Sequence, residues 1–413
     1  MIIGSVVGMF VNWGIYNLAW NKRPISPWGP LPEKLTHRSW NTKIPIFGWL
    51  YMKHETRQHG YLFWVRPFWI ELGMALFFGY SYFHCTNIAD QVSQANDGLH
   101  TSLIWAQTIS FLCMTTLLCI ATFVDFDERM IPDEVTIFGT LIALLLAAFL
   151  PESRLLDTEA LTTGVKVHLH AHSPKEWFEW AQEPRVLLYC MGLLGFWGIA
   201  SMPKICTLRY GLKRGLQLML ASVIRPRRTS LPRGEKRRRK PFTITTVIAV
   251  SCMLGWAFLY GIWKWGDTDQ WESLFSAILG MTAGLGLVWG VRIVGSIAIQ
   301  QEAMGFGDVT LMAMIGAFLG WQAVIITFFI APFAGIIIGI VQALARKGNE
   351  LAFGPYLSLG AILVVIFWST IWERVAGVLD QHIAAVPFFL LLLLSAMGGM
   401  LFSWRIIKEK ILT

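Results

Sequence analysis

The sequence predicts an all-α, polytopic membrane helical bundle, and three observations carry that expectation. Hydrophobic residues make up 55% of the 413-residue chain and charged residues only 15%, where a soluble domain carries about 25% charged residues. The mean hydropathy is +0.53, and the apolar residues form blocks suited to crossing roughly 30 Å of hydrocarbon as helix. Trp occurs 20 times, often near block ends, as an interfacial aromatic belt requires. Block length excludes a large soluble α-protein.

In chain order the expected spans are 2–20, 65–84, 102–124, 135–150, 185–205, 242–263, 274–299, 309–320, 323–345, 355–372 and 386–404. Because 309–320 is short, about ten or eleven transmembrane helices are expected. All are helices, since a chain in lipid must satisfy its backbone internally and nothing alternates like a barrel strand. The first span precedes Lys22 and Arg23 without a small-residue cleavage pattern, so it reads as a retained helix.

Basic loops set the orientation. Lys22, Arg23, Lys34, Arg38, Lys43, Lys53 and Arg57 fall in 21–64, and a denser set falls in 206–241. Segments 85–101 and 266–273 carry acids instead: Asp90 and Asp97, then Asp267, Asp269 and Glu272. Alternating spans put the N-terminus outside and the C-terminus, with Arg405, Lys408 and Lys410, in the cytosol. The loop after the third span and the loop after the seventh then share the cytosolic face.

The net charge of +8 is concentrated in loops. The stretch 225–240 lacks aromatic interleaving, so it reads as a linker near anionic headgroups, not a nucleic-acid site. The six cysteines show no C-x-x-C spacing and read as buried hydrophobes. No internal repeat is evident. The expected organisation is a core in two parts, 1–145 and 274–413, separated by an inserted region, 146–273, that holds extra helices and the basic linker 206–241.

The first polar motif runs from Asp125 to Thr136. A hydrophobic helix is expected to end at Asp125, Pro132 to interrupt helix geometry, and Asp133 to cap the next helix. An ionisable group at the depth of Asp125 is a functional candidate by default, against the plainer reading of a stop-transfer charge. Asp127 and Glu128 are expected to be solvated. The second motif, Gly305-Phe306-Gly307-Asp308, opens an apolar helix. Its two glycines permit an unusual backbone path and close approach of an extended peptide; helix capping is the plainer role for Asp308.

Two carboxylates held close cannot both ionise cheaply, so one keeps its proton near neutral pH. The ionised group activates a water to attack a peptide carbonyl, and the protonated one donates to the carbonyl oxygen and the leaving amine. Titration belongs to the pair, so neither residue receives a fixed role.

Several segments, in order, resemble the type IV prepilin peptidases, leader peptidases of the bacterial membrane. They are Gly8 to Tyr16, Ile44 to Leu50, Arg66-Pro67 with Ile70 to Leu72, Asp125 to Thr136, Gly305 to Leu311, and Phe353 to Tyr356. The resemblance covers about 1–145 and 275–365 and implies a membrane aspartic endopeptidase in the bacterial cytoplasmic (inner) membrane. It implies that Asp125 and Asp308 are the catalytic pair. It further implies cleavage of a short basic leader from prepilin or pseudopilin precursors at the cytosolic face. Gly305, Gly307, Pro132, Asp127 and Glu302 are expected to shape the site or meet the leader, the acids by charge complementarity.

Three departures limit what carries over. The family's paired C-x-x-C motifs have no counterpart between Ile25 and Trp64, and His54 and His59 alone make a poor zinc site. Zinc is not expected, and S-adenosylmethionine enters only with the methyl transfer of many family members, which is not carried over here. Thr310 replaces the usual Lys after the G-x-G-D motif, and 146–270 has no counterpart in the short family core. The rival readings are a G-x-G-D intramembrane protease with another substrate, a pseudo-peptidase, and a transporter that uses the same acids for ions. Carboxylates at one interface, not mid-membrane, count against the transporter.

Overall fold

Hydrophobic blocks separated by Pro, Gly and charge fold as helices. The computed structural model describes residues 1–23, 25–27, 38–93, 97–155, 181–200, 241–300, 304–344, 353–382 and 385–412. Among these residues there is no strand. The helices are α1 (Ile2–Leu18), α2 (Gly48–Tyr51), α3 (Thr56–His59), α4 (Val65–Ser93), α5 (Asp97–Glu128) and α6 (Asp133–Phe149). They continue as α7 (Pro184–Ala200), α8 (Pro241–Trp265), α9 (Thr268–Ile299), α10 (Phe306–Leu319), α11 (Trp321–Leu344), α12 (Gly354–Ile366), α13 (Trp368–His382) and α14 (Val386–Leu412).

Among the described residues, each expected span falls largely on helix. Among the described residues, Leu103–Glu128, Thr268–Ile299 and Val386–Arg405 are long and apolar enough to cross a membrane by themselves. The pair α12 and α13 makes a fourth crossing if counted as one broken span, and α1, α10 and the first part of α11 are shorter apolar helices. The chain is a multi-pass membrane protein.

The expected single span 355–372 is interrupted. α12 ends at Ile366, and the chain bends by 86° at Phe367 into α13. The reason lies in the pattern of α13: Trp368, Trp372 and Ala376 are buried at four-residue intervals, while Ser369, Thr370 and Arg374 are exposed. Such a helix has an apolar stripe, not an apolar girth, and suits a surface. α4 and α5 also run beyond their expected ends, so Asp90 and Asp97 are helical, and Asp125 lies within the last turn of α5 rather than at its end.

The chain divides into two compact units, one of 1–174 with 272–413 and one of 175–271. In the smaller, α7 packs on α8, and Trp256 donates to the Met191 carbonyl at 2.8 Å. In the larger, α1 packs on α4 and α5, while α5 also meets α6, α10 and α12. α10 contacts α6, α11 and α12 and is buried on every side from Asp308 to Leu319.

Close approach of α9 to α10 depends on two facing glycines. A Cβ on Gly280 would run into the carbonyl oxygen of Gly316, and one on Gly316 into that of Gly280. Backbone cannot yield as a side-chain tip can, and such small-residue contacts let membrane helices approach. Gly280→Val should therefore reduce the yield of folded protein and lower its unfolding temperature in detergent; a wild-type melting curve would contradict this packing.

Candidate functional site

Asp125 is 6% exposed. Its helix is followed by Arg129, whose N–H bonds the Asp125 carbonyl at 2.8 Å and whose φ is +55°. That left-handed residue turns the chain so that Ile131 and Pro132 fold back before α6 begins. The Asp125 carboxylate accepts the N–H of Gly354, at the start of α12, with Oδ2 at 3.0 Å. A Cβ on Gly354 would lie only 2.6 Å from that oxygen, so the contact requires glycine.

Asp308 is the third residue of α10 and 8% exposed. It does not cap the helix from outside; Gly305 occupies the capping position. The Asp308 carboxylate reaches back and accepts the Gly305 N–H, as an acid in the first helical turn can. Each aspartate thus faces the start of a helix, where exposed amides favour negative charge.

The structure brings the two together. Ile131 sits against both supporting glycines: a Cβ on Gly307 would be 2.9 Å from the Ile131 Cβ, and one on Gly354 3.0 Å from its Cδ1. Asp308 also lies within electrostatic reach of Asp125. Thr136 and Thr310 tie α6 to α10 beside the pair by a hydroxyl–hydroxyl bond of 3.1 Å, and Thr310 donates to the Gly307 carbonyl at 3.0 Å. Thr310 therefore serves helix packing.

Other expected site residues fall differently. Neither Gly305 nor Gly307 has a positive φ; Gly305 is extended at φ −66°, ψ 153°. The G-x-G segment achieves close approach to Ile131, not an unusual backbone path. Pro132 stands at the N-cap of α6, and Asp133 is its first helical residue without a side-chain cap, because the proline already fixes that turn. Asp127 pairs with Arg66 at 2.6 Å. Glu128 accepts the N–H groups of Trp20 and Asn21 at 2.6 and 2.8 Å. Both acids, intermediate in exposure, thus also tie segments of the bundle together. Glu302 lies outside the described residues.

In the loop between α1 and α4, Arg38 donates to Glu55 through Nε and Nη2, at 2.6 and 2.7 Å, and His59 approaches Glu55 at 3.5 Å. Among the described residues no group of three or more His, Cys, Asp or Glu is placed to hold an ion; the His54 side chain lies outside them.

Glu71 carries no expected role from its local pattern alone. It is fully buried in α4 and accepts from Asn12 Nδ2 at 3.0 Å, from Trp49 Nε1 at 2.7 Å and from the Ile46 N–H. An acid inside an apolar helix was the available signal.

Fold and site together define a helical membrane protein with two buried carboxylates from distant parts of the chain, within electrostatic reach of each other and each facing the start of a helix. The type IV leader peptidase family model matches residues 240–340, a stretch that includes Asp308 but not Asp125. The prepilin leader peptidase/N-methyltransferase of Aeromonas hydrophila is 32% identical over 102 residues, covering 24% of this chain and 35% of the relative. That of Pectobacterium carotovorum subsp. carotovorum is 35% identical over 97 residues, covering 23% and 35%. That of Escherichia coli (strain K12) is 36% identical over 92 residues, covering 22% and 41%. The chain spans a little over a third of the length of these curated relatives. No solved structure matches it.

Proposed function

We propose that this chain is a membrane aspartic endopeptidase that removes the leader peptide from type IV prepilin or pseudopilin-like precursors, with Asp125 and Asp308 as its catalytic pair. The observation that carries the reading is the meeting of these buried acids, one inside the stretch matched to leader peptidases. With one carboxyl ionised and the other protonated, the pair activates a water and protonates the peptide carbonyl and the departing amine. Lys and Arg in the flanking loops support a setting for this end of the bundle at the cytosolic face of the bacterial inner membrane, where the precursor's apolar helix would lie between spans and its basic leader outside. Methyl transfer with S-adenosylmethionine forms no part of the proposal.

The test is cell-free cleavage of a precursor's N-terminal segment by the purified chain, with products read by mass spectrometry. A single cut releasing the leader is expected. Cleavage only of unrelated membrane segments would favour another intramembrane protease, and proteoliposome ion flux without cleavage would favour a transporter.

Gly354→Ala probes the site without removing an acid. The added methyl meets Asp125 Oδ2 and the Ile131 side chain, so the carboxylate must shift. A displacement approaching 1 Å at a catalytic group costs about 100-fold in rate. The drop should appear in kcat, and wild-type kcat in this variant would count against Asp125 as a reacting group.

A further inference from the structure

Arg154 follows the short turn Pro151–Ser153 after α6 and is 1% exposed. Its Nη1 donates to the carbonyls of Ala317 at 2.9 Å and Phe318 at 3.1 Å, and its Nε to Ser273 Oγ on α9 at 3.2 Å. Gln107 on α5 donates in turn to the Arg154 carbonyl at 3.1 Å. None of these partners is a carboxylate, and Nη2 is buried without a hydrogen-bond partner among the described residues.

A buried guanidinium without an acid is costly. Here the compensation comes from the negative end of α10. That helix stops at Gly320, whose φ of +90° turns the chain and whose N–H bonds the Gly316 carbonyl. The next carbonyls, of Ala317 and Phe318, are among those a helix end leaves open, and Arg154 closes them.

α10 is 14 residues long and carries Asp308 in its first turn and the Arg154 contacts in its last. Catalytic groups must be held to within about 0.5 Å by the elements beneath them. We propose that Arg154 is a positioning residue: by fastening the C-terminal carbonyls of α10 to α9 and α5, it sets the axial position and rotation of α10 and hence the placement of Asp308 against Asp125. This inference rests on the peptidase reading.

The experiment compares full-length Arg154→Met and Arg154→Lys with wild type in detergent. It measures kcat and KM on a precursor peptide per mole of monodisperse protein, and hydrogen exchange over residues 309–319. In Arg154→Met, kcat should fall by ~100-fold while KM stays within about twofold, because Arg154 touches no substrate. α10 should lose protection, and Lys, a cation without the planar fork, should recover part of the rate. Wild-type kcat in folded Arg154→Met, or a change confined to KM, overturns the proposal. Should Arg154→Met not fold, a lowered kcat in Arg154→Lys and Ser273→Ala at unchanged unfolding temperature supports it, and wild-type kcat in both overturns it. If wild type cleaves no precursor, the peptidase reading fails separately; unchanged exchange in α10 of Arg154→Met would then reject the clamp itself.

Discussion

Asp125→Asn and Asp308→Asn are each expected to abolish precursor cleavage, with kcat falling by ~10⁴-fold and the protein still folded and in the membrane. The side-chain amide preserves shape and keeps one oxygen as acceptor. At Asp125 that oxygen can still receive the Gly354 N–H, and at Asp308 the Gly305 N–H. The lost capacity is proton exchange: an amide neither draws a proton from water nor delivers one to a leaving amine. Because the two act as a unit, the double variant should be scarcely slower than either single one. The check is single-turnover cleavage by equal amounts of folded protein. A rate within tenfold of wild type in either variant would remove that residue from the chemistry.

Both aspartates were legible in the sequence because each stood beside backbone punctuation, a proline after Asp125 and two glycines before Asp308. Their meeting was legible only in part. Alternating loop charge assigned both motifs to one face, but a face is tens of ångströms wide, and the contact is made by Ile131 between Gly307 and Gly354. Nothing in the local pattern marks one isoleucine in an apolar chain as the piece that joins two helix starts. The helices themselves were read from block length, and the miss at 355–372 has the same origin: an apolar block continues from α12 into α13, and the change of period at Phe367 is subtle. The structural ties of Asp127 and Glu128 were not legible, because an acid at a helix end shows no partner in the local sequence. Their partners, Arg66 and the Trp20–Asn21 backbone, lie in other segments.

Glu71→Ala is the second substitution expected to have a large effect, on stability rather than on chemistry. The Glu71 carboxylate joins three parts of the chain that sequence reading kept separate: Asn12 on α1, the turn at Ile46, and Trp49 on α2. Asn12 retains the Pro67 carbonyl when Glu71 is lost, but the Trp49 indole N–H and the Ile46 N–H lose their acceptor. A buried unpaired donor costs about 1–3 kcal/mol; the Trp49 indole is left in that state, while the Ile46 N–H is only part-buried. Ile46 adds to the burden, since its φ of +66° is rare for a β-branched residue. A left-handed conformation costs roughly 1–2 kcal/mol, and the bond to Glu71 helps to hold it. The turn should therefore spring back to extended backbone in Glu71→Ala, releasing the loop before α4. Thermal unfolding in detergent should shift down by many degrees, and limited proteolysis should open between residues 38 and 60. Glu71→Gln keeps one carbonyl acceptor and should fall between the two. If Glu71→Ala melts with wild type and its loop resists protease, the carboxylate is not the anchor of that end of the bundle.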